Sequence, residues 1–191
     1  MFILIDDGKI PGTVLDRDQA DGASGLSFLQ KIFFVSDGIM LSGVREITGI
    51  DGTTLQNWTK RGWVDNPRGR KYGIDQLARI LLINMLRDSM RMDRIASLFA
   101  YLNGRVRDSG ERVISDSELY DLVCRAAGRL STAEQEGPDT LRRVCADVAA
   151  GFEERSAGST RRLRKVLEIV LTAYAAGTLK RRADKLAEET I

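Results

Sequence analysis

The chain has 191 residues, 43% of them hydrophobic and 29% charged, with a formal net charge of +2. That length suits one domain, or a small domain with a helical extension, and the near-balance of charge leaves any binding of nucleic acid or membrane to a local patch. There is no histidine, and the two cysteines, Cys124 and Cys145, are too far apart for a zinc spacing; Cys2His2 metal sites and Ser-His or Cys-His nucleophile pairs are thereby excluded.

The first 25 residues turn Gly- and Asp-rich after a short apolar opening, and both residue types compete with regular structure. They are expected to form an arm, mobile or loop-like, with a short strand at Phe2 to Ile5. The opening FILI is followed by Asp6 and Asp7, the wrong length and charge order for a signal peptide. The most apolar run, ILLINML at 80–86, is too short to span a bilayer. A cytoplasmic protein with no membrane association is expected, its cysteines small buried side chains in a reducing compartment.

SFLQKIFFV, residues 27–35, reads as a short docking helix. Ser42 is a good N-cap for SGVREITG, whose Val44 and Ile47 share a face and whose Gly49 signals a stop. Asp51 or Thr53 caps a second helix, TTLQNWTKRG, ending at Gly62. Its Leu55 and Trp58 face inward, with Thr59 beside them. Thr54, Gln56, Asn57, Lys60 and Arg61 are left outside. WVDNPRGRKY reads as a hairpin, with Trp63, Val64 and Tyr72 as strand formers around an Asn66-Pro67-Arg68-Gly69 turn. Residues 74–90 are apolar almost all round, the mark of a buried helix at the centre of a core. A further helix carries Met92, Ile95, Phe99 and Leu102 on one stripe.

RVRDSGERVIS, residues 105–115, reads as a charged linker and a domain boundary. Three more helices are expected beyond it. The first carries Leu119, Leu122, Val123 and Ala126. The second opens at Pro138. The third runs from Thr160 past Leu179, with a kink or stop at Gly177. The expected organisation is an arm over 1–25, a DNA-binding unit over 26–104 and a helical dimerisation or effector region over 105–191.

Helix, turn, helix, basic hairpin and buried helix is the order of a winged helix-turn-helix, within a predominantly α fold. Across residues 57–72 five cations meet one acid, Asp65. In such a unit the second helix, 53–61, enters the major groove, where Thr53, Thr54, Gln56, Asn57, Lys60 and Arg61 meet base edges and backbone. The hairpin wing, 66–72, places Arg68, Arg70 and Lys71 against phosphates. Arg45, on the first helix, lies where that helix crosses the backbone. Tyr72 has two readings, closing the wing by packing or touching a phosphate through its hydroxyl. Trp58 and Trp63 read as core pieces.

The run from Leu41 to Leu102 resembles the MerR-type winged-helix DNA-binding domain. LSGVREITGIDGTTLQNWTKRGWV is similar to its first two helices and wing entry, and PRGRKYGIDQLARILLINMLRDSMRMDRIASLF to its wing arginine, closing aromatic and paired helices. TLQNWTKRGWV, ARILLINMLRDS and SDSELY more closely resemble an uncharacterised bacterial family, domain of unknown function eighteen thirty-six. The likeness covers about residues 27–125. It implies double-stranded DNA as partner, regulation of transcription and a homodimer joined through the C-terminal helices, with the apolar stripe at 163–174 as the face to bury.

Two departures stand out. MerR regulators usually carry Arg-Tyr-Tyr in the recognition helix, and this chain has Gln56-Asn57-Trp58. MerR proteins also dimerise through one long coiled coil, often with a cysteine metal site, and this chain reads as several shorter helices without a cysteine cluster. No effector and no cofactor carry over. An adaptor that turns the same basic face to an acidic protein partner is the alternative. An enzyme is not expected, because no nucleophile–base pair, metal cluster or phosphate-binding glycine loop is visible. Asp108, Glu111, Asp116, Glu118 and Asp121 read as a polar linker and helix-start charges.

Overall fold

The computed structural model describes residues 7–103, 112–133 and 137–190. Among them the protein is predominantly helical: α1 (Gly25–Phe33), α2 (Leu41–Thr48), α3 (Gly52–Lys60), α4 (Ile74–Leu86), α5 (Met92–Asn103), α6 (Asp116–Ser131), α7 (Pro138–Val148) and α8 (Ser159–Thr190). The one sheet among them pairs β1 (Ile39–Met40) with β2 (Lys71–Tyr72) in antiparallel fashion. No helix among the described residues is long and apolar enough to cross a membrane.

The core is built round α4. Leu77, Ala78, Ile80, Leu81, Leu82, Ile83, Met85 and Leu86 are all buried, as the all-round apolar pattern requires. Helices α1, α2, α6 and α8 pack against it. Each fully buried Leu or Ile stabilises the fold by about 1.5–3 kcal/mol, so this one helix anchors much of the molecule. The division expected at 105–115 falls largely on residues outside those described, but the core does not stop there. Helix α6, just beyond, lies against α1 and α4 and is itself backed by α7 and α8.

A buried ion pair fastens α6 to α4. Arg79 and Asp116 are 5% and 4% exposed. Arg79 Nε donates to Asp116 Oδ2 at 3.1 Å, and its Nη2 lies 3.0 Å from Oδ1, without a well-aligned bond there. The guanidinium also sits over the Phe99 ring, 4.3 Å from its centroid. Burial pushes the Asp116 carboxyl above its usual range, and the positive charge of Arg79 pulls it back. Asp75, in the first turn of α4, accepts from the Ser117 amide and hydroxyl at 2.9 and 2.7 Å. It thus satisfies the start of α6 from a neighbouring helix. Asp121 does the same for α1, accepting from the Leu26 amide at 2.9 Å.

The N-terminal arm is docked over its described part. Ile10 is wholly buried. Tyr120 donates its hydroxyl to the Pro11 carbonyl at 2.8 Å, Asn84 Nδ2 donates to the Gly12 carbonyl at 2.9 Å, and the Val14 amide donates to the Ile47 carbonyl at 3.0 Å. Gly12 has φ +79, and a Cβ there would lie 2.5 Å from the Leu81 carbonyl oxygen. Only glycine lets the arm press this closely on α4. The strand expected at Phe2 to Ile5 lies outside the described residues.

Four local expectations are corrected. Ser42 is not the N-cap of α2; Met40 is, because β1 runs straight into the helix and leaves no capping loop. Trp63 and Val64 form no strand with Tyr72. The Trp63 amide instead donates to the Trp58 carbonyl at the end of α3, Val64 is buried, and Tyr72 pairs with Ile39. Gly177 does not end α8, which runs on to Thr190. A Cβ at Gly177 would lie 3.6 Å from Asp88 Cβ and 3.7 Å from the Met85 carbonyl oxygen, so the residue serves close packing. Lastly, the stripe at 163–174 is not a free face. Leu163, Val166, Leu167, Val170, Leu171 and Tyr174 are buried in the chain's own core.

Removing one member of the buried pair strands the other in the core. Asp116→Ala is expected to lose about 3–5 kcal/mol in urea unfolding. The double variant Arg79→Met/Asp116→Leu should recover most of that loss. A double variant no more stable than the single one would show that the site needs the charges themselves.

Candidate functional site

The basic face is assembled from α3 and the segment after it. Asp51 caps α3: its carboxylate accepts from the Thr54 amide at 2.9 Å and the Thr54 hydroxyl at 2.6 Å. These bonds, the hydroxyl first, hold the Asp51 carboxyl below its usual range. At the turn before α3, Gly49 takes a φ of +68 and closes α2. Val44 and Thr48 on α2, Leu55 and Trp58 on α3, and Ile50 in the turn between the helices are all buried. Helix α3 then turns Thr53, Gln56, Asn57 and Lys60 outward.

The chain next folds a tight two-residue turn. Arg68 and Lys71 exchange both amide–carbonyl bonds, at 3.0 and 2.9 Å, across Gly69 and Arg70. Both central residues have positive φ, +56 and +66. That is the type I′ geometry matched to a twisted two-stranded ribbon. Arg70 is therefore an exposed, non-glycine residue in the left-handed region, a conformation that costs about 1–2 kcal/mol. The base of the loop is fixed by Gln76. Its Nε2 donates to the Asp65 and Asn66 carbonyls, both at 2.9 Å, while its Oε1 accepts from the Gly73 amide at 2.8 Å.

Lys60, Arg61, Arg68, Arg70 and Lys71 are all exposed, and none has a carboxylate partner among the described residues. Arg61 lies over the Trp63 ring, 5.1 Å from its centroid. Asp65, the one acid within residues 57–72, is turned toward Arg112 at 3.7 Å. These five cations are thus left outside any ion pair among the described residues, which makes the face locally basic.

Gln56, Lys60 and Arg70 line one groove of about 580 Å³ between α3 and the turn. Met40, Leu41 and Tyr72 supply apolar lining, and Asn66 and Pro67 complete the loop side. Other expected residues lie elsewhere. Arg45 shares a second groove with Glu46 and Asp51, at the opposite end of α3. The Thr54 hydroxyl is committed to the cap. Tyr72 is 4% exposed, and its hydroxyl is directed at Thr59, so it closes the loop by packing; burial pushes the phenol above its usual range. Trp58 is a core residue and Trp63 is partly buried against it.

Met40, Leu41 and Gln76 were not legible as parts of this face. The only local sign for Gln76 is its place three residues after Gly73, at the start of α4. Elsewhere the side chains are quiet. Cys124 and Cys145 are free and buried, and burial pushes both thiols up to about 12. No cluster of three metal-ligating side chains occurs among the described residues. Of the acids near 116, Asp116 is paired with Arg79, Glu118 accepts from the Ser115 amide at 3.0 Å in a capping box, and Asp121 holds α1.

The family described as Domain of unknown function (DUF1836) matches residues 26–123, half of the chain. The chain belongs to this family. The matched span runs from α1 into α6 and contains the whole basic face, the turn and Gln76. Among curated proteins the chain is similar to the uncharacterised protein YkrK of Bacillus subtilis (strain 168), 21% identical over 165 residues, 80% of this chain and 70% of that protein. No solved structure matches.

Arg70→Gly should relieve the left-handed strain. Its folding free energy is expected to rise by about 1 kcal/mol in urea unfolding; a loss of stability would mean that the arginine side chain makes a compensating contact.

Proposed function

We propose that the protein is a sequence-specific DNA-binding regulator of transcription, built on a MerR-like winged helix-turn-helix. In this reading α2 and α3 are the helix-turn-helix and the turn at 66–72 is the wing. Helix α3 enters the major groove and turns Gln56 and Asn57 to base edges, with Thr53 at its start. Arg68, Arg70 and Lys71 meet phosphates from the wing, and Lys60 and Arg61 meet them from the end of α3. Arg45 takes a backbone contact at the far end of α3.

One observation carries the reading: five exposed, unpaired cations on a helix and an adjoining turn, in a chain close to neutral. A second supports it. Arg70 is kept in a costly backbone conformation at an exposed position, where packing gives no reason for it. The departure from Arg-Tyr-Tyr is also intelligible, since Trp58 is buried and Gln56-Asn57 are left as the outward pair.

We place the protein in the cytoplasm as a homodimer, because paired half-sites favour paired readers. With the 163–174 stripe buried, the C-terminal surface left for pairing is the exposed end of α8. The groove lined by both apolar and basic side chains favours a second reading, an adaptor that binds an acidic peptide.

Fluorescence anisotropy with a random-sequence duplex across a salt series separates the two. Binding should weaken as salt rises, and Arg68→Ala/Arg70→Ala/Lys71→Ala should flatten the log–log slope by about 3. Gln56→Ala/Asn57→Ala should leave that slope unchanged and lower discrimination once a specific site is known. A folded protein that ignores duplex DNA at low salt overturns the regulator reading and favours the adaptor.

A further inference from the structure

A second charged cleft lies away from α3. It has a volume of about 560 Å³, within the range of small-molecule sites. Its walls come from four parts of the chain: Thr13 on the N-terminal arm, Thr48 at the end of α2, Asn84 on α4 and Thr178 on α8. Five cations face it against two acids, Asp7 and Asp88.

Those acids are already engaged. Arg181 is clamped between them, with Nη1 2.8 Å from Asp88 Oδ2 and Nη2 3.2 Å from Asp7 Oδ2. Lys9 is held by Asp16 at 3.1 Å and by the Val14 carbonyl at 3.0 Å. Lys185 has Glu189 at 3.8 Å. That leaves Arg87 and Arg182 on the rim with no carboxylate partner among the described residues.

An independent observation points to the same place. Tyr174 lines the cleft and is 2% exposed, yet its hydroxyl has no hydrogen-bond partner among the described residues. The only sealed, unsatisfied polar side-chain atom among the described residues is Asp116 Oδ1, so the Tyr174 oxygen, which has no partner, opens to the cleft. Burial and the charge of Asp7 push this phenol above its usual range, so it remains a donor at neutral pH. Two unpaired guanidinium forks and one hydroxyl donor open to the cleft make an acceptor-seeking set.

We infer that this cleft binds a small dianion, a phosphate monoester or a dicarboxylate, held by Arg87 and Arg182 with the Tyr174 hydroxyl donating to it. The site is separate from the α3 face, and its test does not depend on DNA.

Isothermal titration of the full chain with inorganic phosphate and with succinate, at matched ionic strength, tests it. At least one of the two should bind, and which one binds distinguishes a phosphate head group from a dicarboxylate. Arg87→Ala/Arg182→Ala should weaken that binding by about tenfold or more, as expected for lost charge-assisted hydrogen bonds. Both residues are exposed, so the variant keeps its fold. Tyr174→Phe, which removes one oxygen, should weaken it about threefold to tenfold. Arg161→Ala/Arg164→Ala, the same charge change at the other end of α8, should leave it unaltered. Failure of both anions to bind folded protein overturns the inference, as does an equal loss from the two double variants.

Discussion

The contact between Arg79 and Asp116 is the hinge of the whole architecture. It joins the middle of the most buried helix to the first residue of the helix that opens the second half of the chain. Arg112 reaches from the same corner to both Asp116 and Asp65, at 3.8 and 3.7 Å. The loop that follows α3 is thereby tied to the core by charge, as Gln76 ties it by backbone bonds. A buried pair of this kind adds little net stability over an apolar substitute, but it tolerates few alternative registers. Its value here is positional: α4, α6 and the basic turn are set in one frame.

The same economy governs charge over the molecule. The chain is near neutral because its acids are numerous, yet many of them work internally. Asp51, Asp75 and Asp121 satisfy helix starts, Asp116 is buried, and Asp7 and Asp88 hold Arg181. Toward the end of α3 and on the turn after it, the five cations remain outside any ion pair among the described residues. A net charge summed over the sequence says nothing about this, because it counts a capping carboxylate and a free lysine as cancelling wherever they lie.

The helices were legible because burial imposes a 3.6-residue period, and the buried stripes of α4, α5, α6 and α8 carry it plainly. The stop at Gly49 and the start at Pro138 were legible because backbone conformation selects those residue types. What escaped was set by partners far along the chain. Tyr72 pairs with Ile39, not with its near neighbours Trp63 and Val64, and no local pattern encodes that choice. The stripe at 163–174 announced an apolar face but not what covers it, and intramolecular covering read the same as a dimer seam. The arm looked loose because Gly and Asp favour irregular backbone, yet irregular is not unanchored: Ile10 and three hydrogen bonds to α2, α4 and α6 fasten it. On the candidate face, the residues that supply charge were legible from the sequence. Those that supply apolar lining and fix the loop, Met40, Leu41 and Gln76, were not, since their roles exist only in three dimensions.

Helix α8 holds two thermodynamic regimes in one element. At about 1.5 Å per residue it is about 48 Å long, but residues 182–190 are exposed on every side. An isolated helix of that length is marginal in water. This end is helical because the buried stem below it has already supplied the nucleus, and because Lys180–Asp184 and Lys185–Glu189 pair along its side. Its local opening free energy is therefore close to zero at the tip and rises toward the stem. A proline placed at 184 would unwind the tip and leave the body folded, so a single continuous helix opens at one end long before the other.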